Sequence, residues 1–138
     1  MSRVIHTQRP GKIRNQHRRT AAEALRRLSQ KPQLDDEAKD LAALIVLSLH
    51  GIASTVEQTI EAWEKRDYYI KAERFRQEWH WLDRITDELS AVIYQNQWDQ
   101  LPAILARLAP RFADIKIKQL TRKPAVWQGA YEKFMQGD

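Results

Sequence analysis

A chain of 138 residues that is 43% hydrophobic and carries five Trp is long enough to bury one core and short enough to be one domain. It contains no cysteine, which excludes a disulfide framework, a thiol nucleophile and a Cys-based zinc site. The formal charge of +5 hides a strong segregation: residues 1–31 hold nine Lys or Arg and one acid, residues 32–106 seven and fourteen, and residues 107–138 seven and three.

Residues 1–11 read as a basic arm, with Arg3, His6 and Arg9 among polar neighbours and Pro10-Gly11 as a helix boundary. The arm lacks the apolar segment of a secretory signal, and no run of eighteen apolar residues follows, so a cytoplasmic protein without a membrane role is expected. Residues 12–138 form the single helical domain. From Lys12 to about Gln30, Ile13, His17, Ala21, Ala24 and Leu28 recur at helical spacing, with Leu25 at the edge of the stripe. Arg19 and Arg26 stack on the far side, flanked by Arg18 and Arg27. Lys31-Pro32 ends the helix, because proline disfavours helical geometry in its predecessor.

Asp36 to Gln97 reads as two long amphipathic helices with a reversal near Arg66-Asp67. In the first, Leu41, Leu44, Ile45, Leu49, Ile52, Thr55, Val56, Thr59, Ala62 and Trp63 fall in one sector, while His50, Glu57, Glu61 and Glu64 fall opposite. Val46 and Leu47 widen the apolar surface, and Asp35 or Asp36 can cap the start. Gly51 interrupts the pattern, but the stripe keeps its phase through it, which favours one continuous helix. The second helix, from Tyr68, carries Ala72, Phe75, Trp79, Leu82, Thr86, Leu89 and Ile93 on one face and Ile70, Trp81, Ile85 and Val92 on another, so it needs neighbours on two sides.

After Asn96 a shorter helix is expected near Asp99, with Pro102 in its first turn and Leu101, Ile104, Leu105 and Leu108 facing inward. Residues 111–123 alternate apolar and basic character, as an irregular helix or an extended connector would. Pro124 opens a last helix whose stripe is Val126, Trp127, Ala130, Tyr131 and Phe134, and this helix should dock. The fold class is therefore all-α: an elongated helical bundle built on a long antiparallel helix pair, with a basic N-terminal helix and two or three shorter C-terminal helices.

The chemistry on offer is sparse. No Glu is followed by His three residues on, which removes the ligand spacing of a bundle metal site, and four glycines build no phosphate-cradling loop. Glu57, Glu61 and Glu64, like Asp83, Asp87 and Glu88, read as solvated faces with local pairs such as Arg84 to Glu88. His80, between Trp79 and Trp81, reads as a boundary histidine. A non-enzymatic protein with no cofactor, no metal and no small-molecule substrate is expected.

The basic blocks point to nucleic acid. Arg3, Arg9, Lys12, Arg14, Arg18, Arg19, Arg26 and Arg27 set cations on an arm and one helix, and Lys116, Lys118, Arg122 and Lys123 add a second basic strip. Contacts to phosphate with little base readout fit this pattern, as in a small subunit or accessory factor of a larger nucleoprotein or regulatory assembly. Tyr68, Tyr69 and Trp81 can stack on unpaired bases where they are exposed. Two competing readings use the same residues. The basic segment can instead pair with the acidic hairpin of its own chain or of a second copy, and Ile70, Trp81 and Val92 can form an apolar patch for a protein partner.

Overall fold

The computed structural model describes residues 9–137, and the regular elements among them are all helical. α1 runs Pro10–Ser29, α2 Asp36–Lys65, α3 Tyr69–Glu78, α4 Trp81–Tyr94, α5 Leu101–Leu108 and α6 Ala130–Met135. Short 3-10 turns occupy Trp98–Gln100, Ala109–Phe112 and Pro124–Val126. Arg3 and the rest of the arm up to Gln8 lie outside the described residues, and Pro10 and Gly11 already belong to α1.

α2 is the helix on which α1, α3, α4 and α6 all pack. Its 30 residues span roughly 45 Å. The Asp35 carboxylate accepts from the Ala38 amide at 2.8 Å, and Asp36 and Glu37 occupy the first turn, where the helix dipole favours them. Leu41, Ile45, Leu49 and Ile52 are fully buried, and so is Val46 beside them, while His50, Glu57 and Glu61 face solvent. An eighteen-residue window of α2 has a mean hydropathy of 1.4, apolar enough to cross a membrane, and 61% of it is buried inside the fold. Its neighbours account for that apolar character.

The partner that lies along most of α2 is α1. Arg14 reaches Thr55 and Thr59 while Arg27 reaches Glu37, so the two helices run antiparallel. Ala21, Ala24, Leu25 and Leu28 are buried, as the spacing requires. Gly51 leaves α2 continuous and admits the His17 ring of α1, which a Cβ at position 51 would overlap. Burial there lowers the pKa of the His17 imidazole, so the folded chain favours its neutral form.

The expected single second helix is corrected to two. The reversal occurs where expected, with Asp67 in the left-handed region at φ 62°, but the helix breaks between Glu78 and Trp81. No Gly or Pro marks the break. In an unbroken helix Trp79 and Trp81 point to nearly opposite sides. The break brings their rings to 5.7 Å, and Trp81 then meets Phe112 at 6.5 Å. Aromatic contact and burial outweigh the few helical bonds lost. α4 keeps the two apolar faces read from the sequence, with Leu82, Leu89 and Ile93 buried along with Ile85 and Val92 between α2 and α5.

Asn96, at φ 57°, turns the chain into α5, whose Leu101, Ile104 and Leu108 are buried. The expected helix from Pro124 is also corrected: Gly129, at φ 83°, separates a 3-10 turn from α6. Asp40 of α2 accepts from the Gly129 and Tyr131 amides at 3.2 and 2.9 Å, and Trp127, Ala130 and Phe134 are buried. The C-terminal segment thus docks on the start of α2. Val126 of the expected stripe is 44% exposed instead.

The Gly51 contact yields a prediction. Gly51→Ala in a His17→Ala background should add about 1 kcal/mol, the helix-propensity difference. With His17 in place the gain should shrink or reverse, because the ring must be displaced. Urea unfolding of the four proteins measures the coupling, and equal gains in both backgrounds would contradict the packing described.

Candidate nucleic-acid interface

The connector from residue 113 to residue 123 has almost no regular structure. Ile115 and Ile117 tuck partly into the core while Lys116 and Lys118 face outward, which explains the alternation in the sequence. Such a segment cannot satisfy its own backbone groups, so partners must come from elsewhere. α1 supplies them.

The donors are arginines. Arg18 donates to the Arg111 carbonyl at 3.0 Å and grips Asp114 with both terminal nitrogens, at 3.0 and 2.6 Å. Arg19 donates to the Lys116 and Gln119 carbonyls at 3.4 and 2.9 Å, and Arg26 donates to the Ile117 carbonyl at 2.7 Å. From the other side, Arg122 donates to Thr20 Oγ1 at 2.9 Å and to the Gln16 carbonyl at 3.1 Å. A guanidinium has five donors in a fixed fork, which lets one side chain reach several carbonyls at once.

The acceptor that answers them is Glu23. Its carboxylate accepts from the Thr121 amide and hydroxyl, each at 2.6 Å, from the Arg122 amide at 2.8 Å and from Arg19 Nε at 2.6 Å. The side chain is 3% exposed. Burial by itself would raise its pKa, but hydrogen bonds from the Thr121 hydroxyl, the Arg122 amide, Arg19 and the Thr121 amide together outweigh it and hold the value at about 2 against an ordinary 4.5.

The remaining sequence-derived residues fall into distinct places. Arg14 is spent on α2, donating to Thr55 Oγ1 at 3.2 Å and Thr59 Oγ1 at 2.6 Å with its guanidinium 4.8 Å from the Phe75 ring. Arg27 lies 3.5 Å from Glu37 and 4.8 Å from the Trp127 ring centroid. Arg14, Arg18, Arg19, Arg26, Arg27 and Arg122 all make contacts within the chain itself. Their partners are not Glu57, Glu61 or Glu64, but hydroxyls, carbonyls, Glu23, Glu37 and Asp114. Arg9, Lys12, Lys116, Lys118 and Lys123 are exposed, without an ion-pair partner among the described residues.

The apolar partner patch does not assemble. Val92 is 1% exposed in the core, Trp81 is half-buried against Trp79, Phe112 and Arg111, and only Ile70, 72% exposed, faces solvent. Sequence reasoning missed Glu23, Thr20 and Thr121 as connector anchors. The one available signal was that Glu23 is the only acid in residues 1–31. Among the described residues, no three His, Asp or Glu side chains converge as metal ligands.

The depressed Glu23 pKa contributes stability that is fully present above pH 4.5 and is lost as the pH falls towards about 2. A shift of that size corresponds to about 3 kcal/mol. Glu23→Gln should therefore lower the unfolding free energy by about 3 kcal/mol at neutral pH, with the gap to the wild type narrowing below pH 4.5. Denaturant titrations at several pH values test this, and a gap independent of pH would contradict it.

Searches of protein-family models, curated proteins and solved structures return no match to this chain.

Proposed function

We propose that the chain is a non-enzymatic helical protein that binds nucleic acid through phosphate contacts, as a small subunit or accessory factor of a larger nucleoprotein assembly. One observation carries this reading. The connector lies along α1, so the first and last basic blocks of the sequence share one face. On that face Arg18, Arg19, Arg26 and Arg122, with Lys116, Lys118 and Lys123, stand against the carboxylates of Glu23 and Asp114. Hydrogen bonds to carbonyls and hydroxyls leave a guanidinium's charge in place, so the positive field persists although the arginines are immobilised.

The two kinds of cation then divide the work. Arginines fix the surface and supply its potential, while the exposed lysines reach phosphate as compact, mobile charges. An adaptor role through Ile70, Trp81 and Val92 has less support, since Val92 is core.

Equilibrium binding to labelled oligonucleotides of mixed sequence, over a range of salt, tests the proposal. Affinity should fall steeply with salt, and replacing Lys116, Lys118 and Lys123 by Ala should reduce the log–log slope by about 2 to 3. The same triple variant should unfold within about 0.5 kcal/mol of the wild type. Absence of binding to single-stranded and duplex probes at low salt would overturn the reading.

A further inference from the structure

The turn from α2 into α3 leaves apolar surface uncovered. Tyr68, Tyr69 and Ile70 are consecutive and 49%, 60% and 72% exposed. Single exposed apolar side chains are ordinary, but three large ones adjoining at the tip of a helical reversal form a patch. With Asp67, Lys71 and Arg74 they line a shallow depression. The Tyr69 hydroxyl donates to Asp67 at 3.1 Å, which orients that ring.

The surroundings are cationic. Lys65, Arg66, Lys71 and Arg74 are exposed around the patch, whereas Glu64 and Glu73 are both held by Arg76, at 3.1 and 2.6 Å. The patch also sits at the end of α2 where α1 begins, because Arg14 near the start of α1 bonds Thr59 and covers Phe75 of α3. It therefore lies at the same end of the α1–α2 pair as the exposed Arg9 and Lys12.

We propose that this tip takes the unpaired bases of single-stranded nucleic acid, with Tyr68 and Tyr69 as stacking platforms and Arg66, Lys71 and Arg74 holding the adjoining phosphates. Open aromatic faces rimmed by cations match a strand that presents both π-faces and phosphates, and a duplex offers no such face within its stack. A lipid surface fits less well, since the Asp67 carboxylate beside Tyr69 would have to enter the interface with it. The inference rests on the nucleic-acid reading above and adds the form of the ligand.

The test compares a labelled single-stranded oligonucleotide with the same sequence annealed to its complement, at one fixed salt concentration. The proteins are the wild type, Tyr68→Ala/Tyr69→Ala and Tyr68→Phe/Tyr69→Phe, with thermal unfolding confirming that the exposed positions leave the fold intact. The wild type should prefer the single strand by about tenfold or more, the Ala pair should lose that preference with duplex affinity held within about twofold, and the Phe pair should keep it. Equal wild-type affinity for the two forms, or an Ala pair that still prefers the single strand, overturns the tip while leaving phosphate binding by the lysine face standing. Failure of both probes to bind overturns the tip and that reading together. Sedimentation with phosphatidylserine vesicles that the Ala pair abolishes, with oligonucleotide binding unchanged, would assign the tip to lipid and overturn the proposal.

Discussion

A buried carboxylate on a basic helix governs the architecture. Glu23 sits where water scarcely reaches and accepts from one guanidinium, one hydroxyl and two backbone amides. An ionised carboxylate in such a place is tolerable only with its lone pairs filled. The residues that fill them are Arg19, one turn earlier, and Thr121 and Arg122, nearly a hundred positions later in the chain. Desolvating this charge is unfavourable unless the connector is in place, so the connector is tied to α1 by the need to satisfy Glu23.

Reciprocal contacts hold the connector from the other side. Its carbonyls at Lys116, Ile117 and Gln119 receive donors from Arg19 and Arg26. The two sides are unequal: without the connector the buried carboxylate would be stranded, whereas the exposed connector carbonyls would turn to water. A surface ion pair such as Arg18 with the two-thirds exposed Asp114 adds little by itself, about 0 to 1 kcal/mol. The weight rests on the buried acceptor and on the backbone bonds around it. What looked in the sequence like two separate basic strips is one structural unit, with arginine in the joint and lysine on the outside.

Much of the scaffold was legible because it depends on local period. The buried stripe of α2, the Asp35 cap, the reversal at Asp67 and the continuity through Gly51 all follow from spacing and residue type. The break after Glu78 was not legible, since Trp79 and Leu82 keep helical phase across it and no breaker residue stands there. It arises from aromatic contacts with Phe112, more than thirty residues further on. The fate of the arginines was hidden for a related reason. Their acceptors are mostly backbone carbonyls of a distant irregular segment, and every residue carries a carbonyl. The charge blocks indicated where cations gather along the chain, but only the folded arrangement distinguishes those that hold the connector from those left facing solvent.

Amide hydrogen exchange at Thr121 and Arg122 is the most direct probe of the claim that Glu23 fastens the connector to α1. In the wild type both amides should be protected to a degree comparable with buried α2 amides such as that of Ile45, and in Glu23→Gln they should exchange far faster while Ile45 remains protected. Exchange of Thr121 and Arg122 in the wild type at the rate of an open loop would contradict the claim.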